Sequence, residues 1–175
     1  MAATAIPAGT PVALEEIFRE RHELVFRAAW RITGDLNDAE DVLQTVFLRL
    51  LRQGWSPDSV DNVEAYLRRA AVNAALDIVR ARRDSKKVPF EDVEPVMRQH
   101  AAGELRAMLR AALARLSPKA AEMFALRYFE GYGNAEIAQM LAISAASVAV
   151  TLHRTRGQLQ AELKKGTDPI LETGI

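Results

Sequence analysis

Apolar residues recur along most of this chain at steps of three and four, and nowhere do they alternate with polar ones over the length of a strand. The run that organises the rest is Asn37 to Arg52, N-D-A-E-D-V-L-Q-T-V-F-L-R-L-L-R. Its Ala39, Val42, Leu43, Val46, Phe47, Leu50 and Leu51 share one side of a helix of 3.6 residues per turn. Asn37 or Asp38 is positioned to cap its start, and Glu40 and Asp41 fall in the first turn, where carboxylates favour the positive end of the helix dipole. The opposite face carries Asp41, Gln44, Thr45, Arg49 and Arg52. An amphipathic helix with a solvated outer face accounts for this run taken alone.

Other periodic runs flank it. Leu14 to Thr33 reads as a helix burying Leu14, Ile17, Phe18, Leu24, Val25, Ala28, Ala29 and Ile32, ended by Gly34. Gly54 to Asn62 has the composition of a loop. Val63 to Arg83 reads as a third helix, with Val63, Leu67, Ala70, Ala71, Ala74 and Ile78 inward and a basic end. The second half begins with Leu105, Met108, Leu109, Ala112, Leu113 and Leu116 on one face. Ser117-Pro118 then marks a helix start, serine as N-cap and proline at the first helical position. That helix carries Met123, Phe124, Leu126, Tyr128 and Phe129 and breaks at Gly131 to Gly133. Asn134 caps a short helix, Ala135 to Leu141, and the turn Ala142-Ile143-Ser144 leads into a last one, Ala145 to about Lys165. The fold expected is all-α, in two small helical domains. The boundaries read as a disordered 1–12, a domain 13–84, an acidic linker 85–103, a domain 104–165 and a tail 166–175.

Composition narrows the class. Hydrophobic residues make up 49% of 175, ample for a core, yet no window of about 18 apolar residues exists to span a membrane. There are no cysteines, which removes disulfides and thiolate metal sites and fits a reducing cytoplasm. The net charge of zero hides segregation: 14–64 balances to −5, 68–87 to +5, 88–104 to −3 and 105–165 to +5. Two basic stretches separated by an acidic one fit two contact surfaces for a polyanion. Enzyme chemistry finds no footing. His22, His100 and His153 are scattered, and there is no phosphate-binding glycine loop and no paired carboxylate in a plausible pocket. No metal site and no cofactor are expected.

A short helix, a three-residue turn and a longer helix make a helix-turn-helix, whose second helix enters the DNA major groove. Taking Val148 as buried, Leu152, Thr155, Leu159 and Leu163 lie with it, which leaves Ala146, Ala149, Val150, His153 and Arg154 outward. Ser144 and Ser147 can cap the helix or donate to a phosphate, and Arg154 can reach a phosphate or a guanine edge. A plain helical hairpin has the same outline.

The segment L-S-P-K-A-A-E-M-F-A-L-R-Y-F-E-G-Y-G-N-A-E-I-A-Q-M-L-A-I-S-A-A-S-V, Leu116 to Val148, resembles region four of bacterial RNA polymerase sigma factors. D-A-E-D-V-L-Q-T-V-F, Asp38 to Phe47, followed by Y-L-R-R-A-A-V-N-A-A-L-D-I-V-R, Tyr66 to Arg80, resembles region two. Two such regions with only a short linker between them are similar to the extracytoplasmic-function group of the sigma-70 family, over roughly residues 14 to 163. The resemblance implies a promoter-specificity subunit that directs core polymerase and helps melt DNA. It assigns Asp41 and Gln44, with Glu40 beside them, to the clamp coiled coil of the polymerase largest subunit, with the flap as a further polymerase contact. It assigns Asn73 to capture of an unstacked base of the minus-ten element, with the loop before the third helix forming the rest of the pocket. Arg68, Arg69, Arg80, Arg82 and Arg83 would then hold the DNA backbone. It implies promoter DNA and an anti-sigma factor as partners, with no membrane, and an acidic linker in the RNA exit path. A sigma-like decoy that binds an anti-sigma factor without supporting transcription is the alternative.

The chain departs from that family where Ala121 stands in place of a usual arginine, and where Ala149 and Thr151 replace usual basic residues; Arg154 and Arg156 remain. An Ala/Val-rich face touches thymine methyls but makes few of the bidentate hydrogen bonds that discriminate guanine or adenine. Residues 105–165 alone are therefore expected to recognise the minus-thirty-five element weakly. A gel shift showing tight, sequence-selective binding by that fragment would refute the expectation.

Overall fold

The computed structural model describes residues 11–85 and 101–167, with side chains from 13 to 85 and 103 to 164. Among the described residues it is all-α, as the periodicity requires. The helices are α1 (Pro11–Thr33), α2 (Leu36–Arg52), α3 (Val63–Ser85), α4 (Ala101–Leu113), α5 (Pro118–Tyr128), α6 (Asn134–Leu141) and α7 (Ala145–Thr167). The chain divides into two compact units between Ala75 and Leu76, inside α3. Most of the expected linker, the N-terminal ten residues and the end of the tail lie outside the described residues.

In the first unit α1 and α2 pack as a hairpin. Val25, Ala28, Ala29 and Ile32 of α1 are buried, as are Ala39, Val42, Val46, Phe47 and Leu50 of α2. Gly34, at φ 66°, turns the chain, and its N–H reaches the Trp30 carbonyl at 2.8 Å. Asp35 caps α2, its Oδ1 accepting from the Asp38 N–H at 3.0 Å. That corrects the expected cap at Asn37 or Asp38. The helix begins at Leu36, so Asp38 becomes its third residue and turns inward, 7% exposed. At the other end Trp55 N–H bonds to Leu50 C=O and Gly54 N–H to Leu51 C=O, a Schellman closure with Gly54 at φ 59°. The expected loop contains one 3₁₀ turn, Pro57–Ser59, capped by Ser56.

Three assignments of inward residues change. Phe18, Leu51 and Leu105 are exposed, although Phe18 keeps an edge contact with Phe47 at 4.9 Å. In α3 the buried stripe is wider than expected, because Val72, Ala75, Leu76 and Val79 are buried beside Leu67, Ala71 and Ala74. Periodicity identifies a face, but the width of that face depends on how much of it a neighbour covers.

In the second unit α7 is the common partner of α4, α5 and α6. Its Val148, Leu152, Thr155 and Leu159 are all buried, the stripe expected from spacing, against a core that includes Leu113, Met123, Leu126 and Ile137. Thr155 satisfies its hydroxyl by donating to the Thr151 carbonyl at 2.8 Å. Ser117 caps α5, accepting from Ala120 N–H, with Pro118 at the first position. The cap of α6 is corrected: Gly133 precedes the helix, Asn134 is its first residue, and Glu136 Oε2 accepts from the Gly133 N–H at 2.6 Å.

The turn between α6 and α7 repeats the closure seen at Gly54. Ile143 N–H bonds to Ala138 C=O and Ala142 N–H to Gln139 C=O, but the left-handed position is held by Ala142, at φ 52°. A Cβ there costs roughly 1–2 kcal/mol that glycine avoids. Ala142→Gly is accordingly expected to stabilise the chain by up to about 1 kcal/mol after the entropy of the freer unfolded chain is subtracted. Thermal unfolding should show a raised Tm; a lowered one would contradict this account of the turn.

Candidate functional site

Burial of the α2 stripe leaves Glu40, Asp41 and Gln44 fully on the solvent side. Glu40 and Gln44 are one turn apart, and Asp41 is three residues from Gln44, so the three form a continuous patch. Among the described residues no ion pair or hydrogen bond takes up these carboxylates or this amide. A patch of two carboxylates and an amide, solvated and uncommitted, suits a partner presenting guanidinium or ammonium groups.

A second feature lies between α2 and α3. Val46, Arg49 and Leu50 from α2 face Tyr66, Arg69, Ala70 and Asn73 from α3 across a groove of about 200 Å³. That is smaller than the ~300 Å³ at which pockets for drug-sized molecules begin, and fits a single ring system better than a larger ligand. The α3 residues are one stripe, at steps of three and four back from Asn73. Trp55, from the loop, stacks on Tyr66 with ring centroids 5.3 Å apart and planes at 16°. The loop thus supports the groove through this stack.

The arginines assigned to the DNA backbone divide. Arg69 lines the groove with Asn73. Arg68 does not: it bonds to Glu64 through Nε at 3.1 Å and Nη2 at 2.8 Å, and Arg21 approaches the same carboxylate at 3.6 Å. Arg80, Arg82 and Arg83 follow the unit boundary in α3. Arg80 pairs with Asp77 at 3.1 Å and Arg83 with Asp84 at 2.8 Å, while Arg82 is exposed. Such partly exposed pairs are worth only ~0–1 kcal/mol, so a phosphate can compete for these arginines.

In the second unit α6 and α7 meet at 109° across the turn 142–144, within the range of a helix-turn-helix. Ala146, Ala149, Val150, His153 and Arg154 of α7 are all exposed. Ser144 is committed locally: its Oγ accepts from the Ser147 N–H at 3.1 Å and lies 2.8 Å from the Ser147 hydroxyl. It serves as the N-cap of α7, leaving the remaining N-terminal amides for a phosphate. Arg115, in the turn after α4, pairs with Glu162 near the far end of α7.

Sequence reasoning passed over Arg49 and Tyr66 as groove residues. Tyr66 was reachable from Asn73 by helical spacing, whereas nothing in the spacing links Arg49 to α3. Among the described residues no group of three His, Asp or Glu could hold a metal ion, and no single helix is long and apolar enough to cross a membrane.

Comparison with known proteins bears on both units. Residues 17–85 match the family model described as Sigma-70 region 2, and 106–159 match Sigma-70, region 4. The chain is 33% identical over 159 residues to the RNA polymerase sigma-E factor of Streptomyces coelicolor, covering 89% of this chain and 88% of that one. It is 31% identical over 152 residues to the ECF RNA polymerase sigma factor SigM of Mycobacterium tuberculosis, covering 87% and 78%. Among solved structures, its fold is similar to the sigma factor RpoE of Bartonella quintana in complex with the anti-sigma factor NepR (TM-score 0.54, 22% identity, 86% and 96% covered). It is also similar to CnrH in complex with the cytosolic domain of CnrY (TM-score 0.53, 22% identity, 90% and 91% covered).

The capping role of Ser144 is open to direct measurement. Ser144→Ala should cost about 1 kcal/mol and lower Tm by roughly 2–4 °C for a chain of this size. Ser147→Ala, which keeps the accepting oxygen of Ser144, should cost clearly less; equal losses would remove the cap assignment.

Proposed function

Because the chain belongs to the extracytoplasmic-function group of sigma-70-type RNA polymerase sigma factors, we propose that Glu40, Asp41 and Gln44 dock it on core polymerase and that Asn73 reads an unstacked minus-ten base. Its family function is promoter recognition and transcription initiation, with core RNA polymerase and promoter DNA as partners. The functional domains are taken as 13–84 and 104–165, joined by 85–103. The observation that carries the docking assignment is the uncommitted patch on α2. A helix whose apolar stripe is spent on the core still offers two carboxylates and an amide with no partner among the described residues. The clamp coiled coil of the largest polymerase subunit is the proposed partner of this patch, with the flap engaging the second domain.

Reading by Asn73 is base flipping: a base freed from the stack exposes its pairing edge to an amide, at a cost of a few kcal/mol in unstacking. Arg69 and the arginines at the end of α3 supply phosphate contacts, and melting follows from trapping the base in its flipped state. On α7, Ala146, Ala149, Val150, His153 and Arg154 face the minus-thirty-five element, with apolar contacts outnumbering charged ones. On this reading the chain performs no catalytic step and works in the cytoplasm alongside polymerase. An anti-sigma factor is its proposed regulator, as the two structurally similar proteins are each seen with a bound partner.

A decoy that only titrates an anti-sigma factor is favoured by one feature, the missing basic residues on α7. Transcription in vitro with core polymerase separates the two, since a decoy gives no promoter-specific transcript. Asp41→Ala should weaken core binding about tenfold or more, the loss of a charged hydrogen-bond partner, with unchanged helicity. Unchanged affinity would sink the docking assignment.

A further inference from the structure

The last turn of α3 holds a serine that neither polymerase docking nor base capture uses. The run Arg80-Ala-Arg-Arg-Asp-Ser85 sets arginines five, three and two residues before it, and Lys86 and Lys87 follow. Ser85 is exposed and ends the helix, its Oγ donating to the Arg82 carbonyl at 3.0 Å. Of the exposed hydroxyls among the described side chains, it alone has arginines at both two and three residues before it. Ser117 has only Arg115 and is committed to capping α5, and Thr33 has only Arg31 and is buried.

We propose that Ser85 is a phosphoacceptor site for an arginine-directed serine kinase, and that its phosphate withdraws the arginines at the end of α3 from DNA. A kinase of that kind carries acidic side chains beside its active site, and guanidiniums at fixed offsets from the hydroxyl pair with them. A hydroxyl in mid-helix would reach the active site only if the helix unwound around it. Ser85 lies in a terminal turn, the part of a helix that opens most easily. In the transfer its Oγ attacks the γ-phosphorus of ATP, and the new O–P bond forms as the bond from that phosphorus to the β,γ-bridging oxygen breaks. ADP leaves, and the hydroxyl proton passes to a carboxylate of the kinase.

The consequence follows from charge. Arg80, Arg82, Arg83, Lys86 and Lys87 stand against Asp84 alone, and a phosphoserine brings about −2 at pH 7, cancelling about half of that surplus. The anion enters at the C-terminal end of α3, where the helix dipole disfavours it. The nearest cations are the helix's own: Arg82 is three residues back on the same face, and Arg83 already turns to Asp84 at 2.8 Å. A dianion with three accepting oxygens displaces a single exposed carboxylate in that role. The guanidiniums that hold DNA phosphate in the unmodified chain then hold a phosphate of the chain itself.

The effect on DNA rests on the sigma reading, whereas the phosphorylation does not, and two readouts keep them apart. Full-length chain is incubated with ATP and an extract of its native cells, and its phosphate is located by mass spectrometry. One phosphate at Ser85 is expected, lost in Ser85→Ala. No transfer to Ser85, or transfer in its place to Thr167, which follows Lys164 and Lys165, would overturn the site. Unmodified chain with core polymerase next selects a promoter duplex from a random-sequence library. Phosphorylated and unmodified complexes are then titrated with that duplex across a range of salt. Phosphorylation is expected to weaken DNA binding about tenfold and to flatten the log–log salt dependence by roughly 1–2, the release associated with one or two phosphates. Affinity for core itself should not change, and Ser85→Ala taken through the same treatment should behave as unmodified chain. Unchanged affinity and slope in the phosphorylated chain would overturn the withdrawal of the arginines. Failure of the unmodified chain to select any promoter would overturn the sigma reading and the effect on DNA together, with the site itself decided by the mass spectrum.

Discussion

The burial of one face of α2 against α1 is the constraint from which the first unit's surface follows. Ala39, Val42, Val46, Phe47 and Leu50 are all nearly inaccessible, and each large apolar side chain so buried stabilises by roughly 1.5–3 kcal/mol. A rotation of α2 that brought Asp41 or Gln44 inward would expose part of that stripe and desolvate a carboxylate or amide without partners. The patch is therefore held outward by the core and not by contacts of its own. The caps at Asp35 and Gly54 fix where the helix starts and stops, and with that the register of every outward residue.

The second unit applies the same logic to α7. Three helices pack on one stripe, so the opposite face is presented as a rigid surface. What differs is the connection. The closure that Gly54 makes without steric cost is made before α7 by Ala142, in a left-handed conformation. Strain is thus stored in the turn that sets the 109° angle between α6 and α7. The packing of Val148, Ile137 and Leu126 over-determines that angle and keeps the turn closed.

Electrostatics of the chain cannot be judged from its balance of charge, which is zero. Availability matters more. The arginines with local carboxylate partners, Arg68, Arg80 and Arg83, must exchange one anion for another to bind phosphate, whereas Arg49 has none among the described residues to give up. Exposed pairs are weak enough that exchange is feasible. This ordering separates residues that a count of positive charge treats as equal.

The amino-acid pattern alone was enough for the all-α class, for seven helical segments with ends good to a few residues, and for the outward placement of Glu40, Asp41, Gln44, Ala149, Val150, His153 and Arg154. A helix period assigns each residue an angle about its own axis, and these assignments need nothing more. Local chemistry at helix ends was partly legible: Ser117-Pro118 was read correctly, while the caps at Asp35 and Gly133 were not, because two or three polar residues competed for each position. Only the tertiary structure decided that Arg49 shares a groove with Asn73, that Trp55 backs Tyr66, that Arg68 turns to Glu64 and that Phe18, Leu51 and Leu105 stay exposed. Each of these depends on where a second segment lies against the first, and periodicity along one helix carries no information about the side from which another approaches.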